Sequence, residues 1–174
     1  EDTTLDPIIA ARKPKPFASW SRSEDYYNEG SLMWLEADML IRQATNNAKS
    51  LDDFARTFFG GREGDWGQDT YDFDDVVAAL NAVHPYDWAN FLRDRLQAPG
   101  RAAPVGGIER AGYRLVWRDA PNAYDRDRMA QAKNADLTHS LGMTIDKDGV
   151  ATGILWDGPA FKADIINGTK IIAV

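Results

Sequence analysis

Cysteine is absent from the 174 residues. Disulfides, thiolate metal sites and cysteine nucleophiles are therefore all excluded. Histidine is nearly absent: His84 and His139 are the only two, and neither opens an H-E-x-x-H pair. These residues alone hold no recognisable zinc-hydrolase ligand set. The chain also lacks a G-x-x-x-x-G-K-[ST] phosphate loop and a G-x-S-x-G nucleophile turn. No stretch reaches the roughly 18 apolar residues that a membrane-spanning helix needs. An excess of positive charge is missing too. The net charge is -7, which argues against a large nucleic-acid footprint. Hydrophobic residues make up 44% and charged residues 27%, which fits a globular protein of one ordinary domain or two small ones.

What the chain does have is one dominant helical stretch, running from Glu24 to Arg42. Leu32, Met33, Trp34, Leu35, Ala37, Met39, Leu40 and Ile41 nearly encircle it, so burial on most sides is expected. Its polar residues fall into two stripes. At about 100° per residue, Glu29, Glu36 and Gln43 share one direction. Tyr27, Ser31, Asp38 and Arg42 share nearly the opposite one. Asp38 and Arg42 stand four apart with the acid first, the favourable order for a helical ion pair. Two readings stand: a core helix whose polar groups are satisfied by neighbours, or a helix bordering a cleft.

Before this helix, Pro7, Pro14 and Pro16 keep residues 1–24 extended. Arg12, Lys13 and Lys15 form a short solvated basic run, and Phe17 and Trp20 pin the arm to a larger body. After it, Ser50 caps a second helix with Asp52 and Asp53 in its first turn. Leu51, Phe54, Ala55 and Phe58 form its apolar face, and Gly60-Gly61 ends it. Trp66, in the loop that follows, is a loop anchor or a ligand surface. Asp72 to Asp75 opens a third helix that closes at His84-Pro85. Pro85 is suited to the first position of a fourth, with Trp88, Phe91, Leu92 and Leu96 inward. His84 reads as a cap or packed ring, because no partner ligand lies at metal spacing.

Beyond residue 97 the composition shifts. Ala98 to Gly107 is rich in proline, glycine and alanine and reads as a linker. Strand patterns follow at Tyr113–Trp117, Leu141–Ile145 and Val150–Trp156, with Asp146-Lys147-Asp148-Gly149 as a hairpin turn. Pro159–Ala163 reads as one helical turn and Lys170–Val174 as a last strand. The fold class expected is α+β. Residues 1–24 form an extended lead-in, 25–97 an all-helical block, 98–112 a linker and 113–174 a β module. Because the sequence stops on an apolar strand, the chain is expected to be a fragment.

Ser140-Leu141-Gly142-Met143 is followed by a hairpin and then by Gly158-Pro159-Ala160-Phe161-Lys162-Ala163-Asp164-Ile165-Ile166-Asn167-Gly168. This run resembles the first two-thirds of a PDZ domain of the bacterial protease-associated type. Ser140 to Met143 matches that family's carboxylate-binding loop, usually G-L-G-F. Successive amides in a glycine-containing turn make an anion nest, and the strand after it is expected to offer an edge to a peptide strand. A simple strand-entry turn is the alternative. Asp164 stands where the family has glycine at a helix end, a backbone position aspartate tolerates, and Thr169 replaces the family's aspartate.

Tyr26-Tyr27-Asn28-Glu29-Gly30 leads into the apolar helix, and Ser50-Leu51-Asp52-Asp53-Phe54 follows it. With the PDZ-like run behind, the chain resembles the PDZ-containing glycyl aminopeptidase family, gluzincin-type zinc peptidases related to aminopeptidase N. The resemblance covers about residue 17 to the end. It implies that the helical block is the C-terminal part of a catalytic domain and the β module a partial PDZ domain. It implies a Zn cofactor in the full-length parent, held by an H-E-x-x-H helix and a third glutamate upstream of Glu1, and none in this fragment. It implies a peptide substrate cleaved at its N-terminal residue, and a peptide C-terminus or strand at Ser140, Leu141, Gly142 and Met143. No nucleic acid and no membrane span are expected, and a bacterial periplasm or cell envelope is. The family's Y-x-K-G motif matches Tyr27-Asn28-Glu29-Gly30, with Glu29 replacing lysine. Tyr27 thereby takes the role of the tyrosine that stabilises the oxyanion, against the alternative of aromatic packing at a helix entry. A non-catalytic PDZ-containing scaffold is the competing function.

Overall fold

The computed structural model describes residues 25–60, 64–65, 67–97 and 103–173. The lead-in, with its basic run, Phe17 and Trp20, lies outside the described residues, as does Trp66. The fold is α+β: seven helices and one small antiparallel sheet among the described residues. The chain divides into two compact units, one from Asp25 to Leu115 and a second that begins at Val116.

The first unit is built on α1, Asp25–Ala44. Around it stand α2 (Leu51–Gly60), α3 (Phe73–Val83) and α4 (Trp88–Leu96). Their shared core holds Ala37, Ile41, Phe54, Leu80, Val83, Trp88, Phe91 and Leu92. Local chemistry starts α2 and α3 where the sequence places them. Ser50 Oγ accepts from the Asp52 amide at 3.2 Å while Asp53 accepts from the Ser50 amide at 2.8 Å, a reciprocal cap. Asp72 and Asp75 form the same box on α3. Lys49 Nζ donates to the Val83 carbonyl at 2.6 Å, placing a cation on the negative end of α3.

Three expectations are corrected here. First, α1 is less deeply enclosed than its composition suggests: Ala37 and Ile41 are fully buried, but Leu32, Met33, Trp34, Leu35, Met39 and Leu40 are half-buried. Second, Pro85 does not begin α4. Asp87 caps that helix through the Asn90 amide at 3.3 Å, and the Trp88 indole instead reaches back to the His84 carbonyl at 2.8 Å. Third, the stretch read as a linker contains α5, Gly106–Arg110, pressed against α1. A Cβ on Gly107 would stand 2.7 Å from the Glu36 backbone nitrogen. The glycines that read as flexibility serve close approach between two backbones.

In the second unit α6, Ala123–Ala132, is capped by Asn122 through the Asp125 amide at 2.9 Å. Next come β1 (Ala135–Leu137), β2 (Met143–Ile145) and β3 (Ala151–Thr152). The sheet order is β1-β2-β3, with Leu137 opposite Met143 and Thr144 opposite Thr152. The one-turn helix α7, Pro159–Lys162, closes the unit over a core of Met143, Ala151, Ile154 and Ala160. Asp164 ends α7 in the left-handed region at φ 58°, as its position required.

The strand readings are only partly realised. Residues 113–117 form no strand: Tyr113, Leu115, Val116 and Trp117 are exposed, and no ladder pairs with them among the described residues. Alternation makes a segment competent for a sheet, but a strand exists only with a partner. Lys170 makes a single bridge to Val150, with Ile171 donating to the Gly149 carbonyl at 2.8 Å, short of the expected terminal strand.

Candidate functional site

Tyr27 lies in the first turn of α1 and is 66% exposed. Its carbonyl accepts the Ser31 hydroxyl at 2.7 Å, one turn further along the same stripe. Farther down that stripe, Asp38 uses both carboxylate oxygens. One takes Arg42 Nε at 2.7 Å, and the other takes the Leu51 amide at 2.8 Å. The expected ion pair is present, and the same acid also satisfies a free donor at the start of α2. Along this face the C-terminal polar groups hold neighbouring structure, and Tyr27 at the N-terminal end is largely exposed.

The opposite stripe is structural. Glu36, 7% exposed, takes Arg95 Nη2 at 2.6 Å and Nε at 3.1 Å, and Arg110 Nε lies 3.9 Å away. Gln43 exchanges two hydrogen bonds with Arg110, each 3.1 Å. A buried carboxylate thus ties α4 and α5 to α1. The shared direction of Glu36 and Gln43 was legible in the sequence; their arginine partners, Arg95 and Arg110 on later helices, were not.

In the second unit, Ser140, Leu141 and Gly142 lie in the turn between β1 and β2, and Met143 begins β2. Gly142 has φ +73°, and a Cβ there would meet Leu155 and Pro159 at 3.4 Å, so glycine suits this point of the turn. Met143 is buried in the core, whereas Leu141 is partly exposed. The amides of Ser140, Leu141 and Gly142 converge on one acceptor, the Leu137 carbonyl, at 3.1, 2.9 and 3.0 Å. The expectation of a free edge on the following strand is corrected. β2 is the central strand, flanked by β1 and β3. The outer side of β3 is also covered, since Ala151 bonds Thr169 and Gly168 at 2.8 and 2.9 Å.

His84 caps α3 with its backbone, and the His139 ring meets the Trp117 ring at 5.8 Å between centroids. Among the described residues, no three His, Asp or Glu side chains are grouped to hold a metal ion, and no helix is long and apolar enough to cross a membrane. No family model matches the chain, and no curated protein matches it.

Proposed function

We propose that this chain is the C-terminal helical part of a zinc-dependent aminopeptidase of the glycyl aminopeptidase type, followed by a partial PDZ-like module. In this reading the parent enzyme removes N-terminal residues from peptides in a bacterial periplasm or cell envelope. Its zinc ligands lie upstream of Glu1. The observation that carries the reading is the outward phenol of Tyr27, mounted on the first turn of a helix whose middle is locked into the core. A neutral phenol donates a hydrogen bond, and a donor aimed at developing negative charge lowers the barrier to acyl transfer. Tyr27 would donate to the oxygen of the scissile carbonyl. Zinc, when bound by the parent, supplies a water nucleophile at neutral pH.

Tyr27→Phe in the full-length enzyme tests this. The expected result is a fall of about 10²-fold in kcat with little change in KM, the pattern for a donor engaged only in the transition state. Equal kinetics for variant and parent would remove Tyr27 from the mechanism. An H-E-x-x-H pair in the reading frame upstream of Glu1 favours the peptidase. Its absence favours the scaffold, in which the module around Ser140 to Met143 recruits peptides without chemistry.

A further inference from the structure

The turn from Ser140 to Gly142 holds three amides aimed at a single point, the Leu137 carbonyl oxygen, and the Ser140 hydroxyl approaches it at 3.3 Å. That is the donor set an incoming carboxylate would need. β2 leaves directly from this turn. A peptide whose terminal carboxylate took these amides, and whose chain then paired with β2, would have to run antiparallel to it, with its last residue beside Met143. β1 already does this. It is antiparallel to β2, with Leu137 opposite Met143, Asp136 opposite Thr144 and Ala135 opposite Ile145.

We propose that β1 is an internal occupant of the peptide groove, a tethered strand that must peel away before a peptide C-terminus can bind. This rests on the reading of Ser140 to Met143 as a carboxylate-binding turn. Leu137 stands in for the terminal residue, and its carbonyl for the carboxylate. The strand is fastened from behind by α6: the Asp136 amide meets Met129 Sδ at 3.2 Å, and Arg128 Nη2 meets the Asp136 carboxylate at 2.6 Å. A tethered strand competes at high effective concentration, so a free peptide sees its affinity reduced by the fraction of molecules with β1 released. A ladder of three residues is short enough to open locally without global unfolding.

The probe is a fluorescein-labelled peptide copying residues 133–137, ending in a free carboxylate, titrated against the whole chain by anisotropy. Two variants release β1 in different ways. Because the Asp136 amide points to Met129, the Ala135 amide faces β2, and Ala135→Pro removes that ladder donor. Arg128→Ala unfastens the strand from α6 and leaves the backbone untouched. The expected result is at least tenfold tighter binding by either variant than by the parent, faster amide exchange at Leu137, and loss of binding when the peptide is C-terminally amidated. Parent binding as tight as both variants, with Leu137 still protected, would overturn the internal occupant while leaving the turn as a site. No binding by a variant whose exchange shows β1 released would overturn the carboxylate turn itself, and the inference with it.

Discussion

Asp136 carries three fastenings at once. Its carboxylate accepts the Thr138 amide at 3.0 Å and Arg128 at 2.6 Å, and its own amide meets Met129. The hydrogen bonds from Thr138, and then the one from Arg128, hold the carboxyl at about 2, below the usual 3.8. Because the folded carboxyl titrates below its unfolded value, its stabilising contribution is complete above about pH 4 and is lost as pH falls toward 2. The parent is therefore expected to lose more stability across that interval than Asp136→Asn, measured by urea denaturation at a series of pH values. Parallel acid profiles for the two would show that Asp136 is not a stabilising acid. Neither the Arg128 contact nor the Met129 contact was visible in the sequence. Asp164 is the opposite case: its left-handed backbone was expected because the PDZ resemblance has glycine at that position.

At the scale of elements, the docking of α5 on α1 is the least forgiving contact in the first unit. Gly106 and Gly107 both lie against Glu36, whose carboxylate also takes Arg95. A methyl at Gly107 would stand 2.7 Å from backbone, which cannot swing aside as a flexible side chain can. Gly107→Ala is expected to cost about 1–3 kcal/mol, the range for overpacking a fitted interior. Gly30 supplies the control. It sits within α1 with nothing near its Cβ position, so Gly30→Ala is expected to stabilise by about 0.5–1 kcal/mol. Urea midpoints for the two variants check the contrast, and a shift of equal sign in both would remove the close-packing account. The starts of α2 and α3 and the Asp38–Arg42 pair were readable in the sequence because their partners lie within four residues. The α5 contact was misread as a linker because glycine carries two meanings, freedom and close approach, and only the neighbour tells them apart.

For the whole molecule, the proposed reading divides the chemistry between this chain and residues outside it. The sequence contains no H-E-x-x-H pair and only two histidines. The isolated chain is therefore expected to turn over no amino-acid p-nitroanilide, with or without added zinc. Detectable turnover by the pure chain would refute the division. The two units also differ in how much apolar surface they enclose. Among the described residues the first gathers eight buried residues from four helices, while the second gathers four around a sheet of very short strands. The exposed Tyr113–Trp117 segment, with Trp117 81% exposed, joins no strand ladder among the described residues.

By itself the sequence determined the α+β class and the starts of α2 and α3, because caps and apolar periodicity act over a few residues. It also marked Tyr27 and the Ser140–Met143 turn as the places to look. Tertiary structure alone decided that Glu36 would bind arginines from two other helices, that β1 rather than a free edge would lie beside β2, and that Tyr113–Trp117 would find no ladder among the described residues. Those outcomes depend on which distant groups meet. A carboxylate, a carbonyl or a strand edge carries no local sign of its eventual partner until packing brings the two within hydrogen-bond reach.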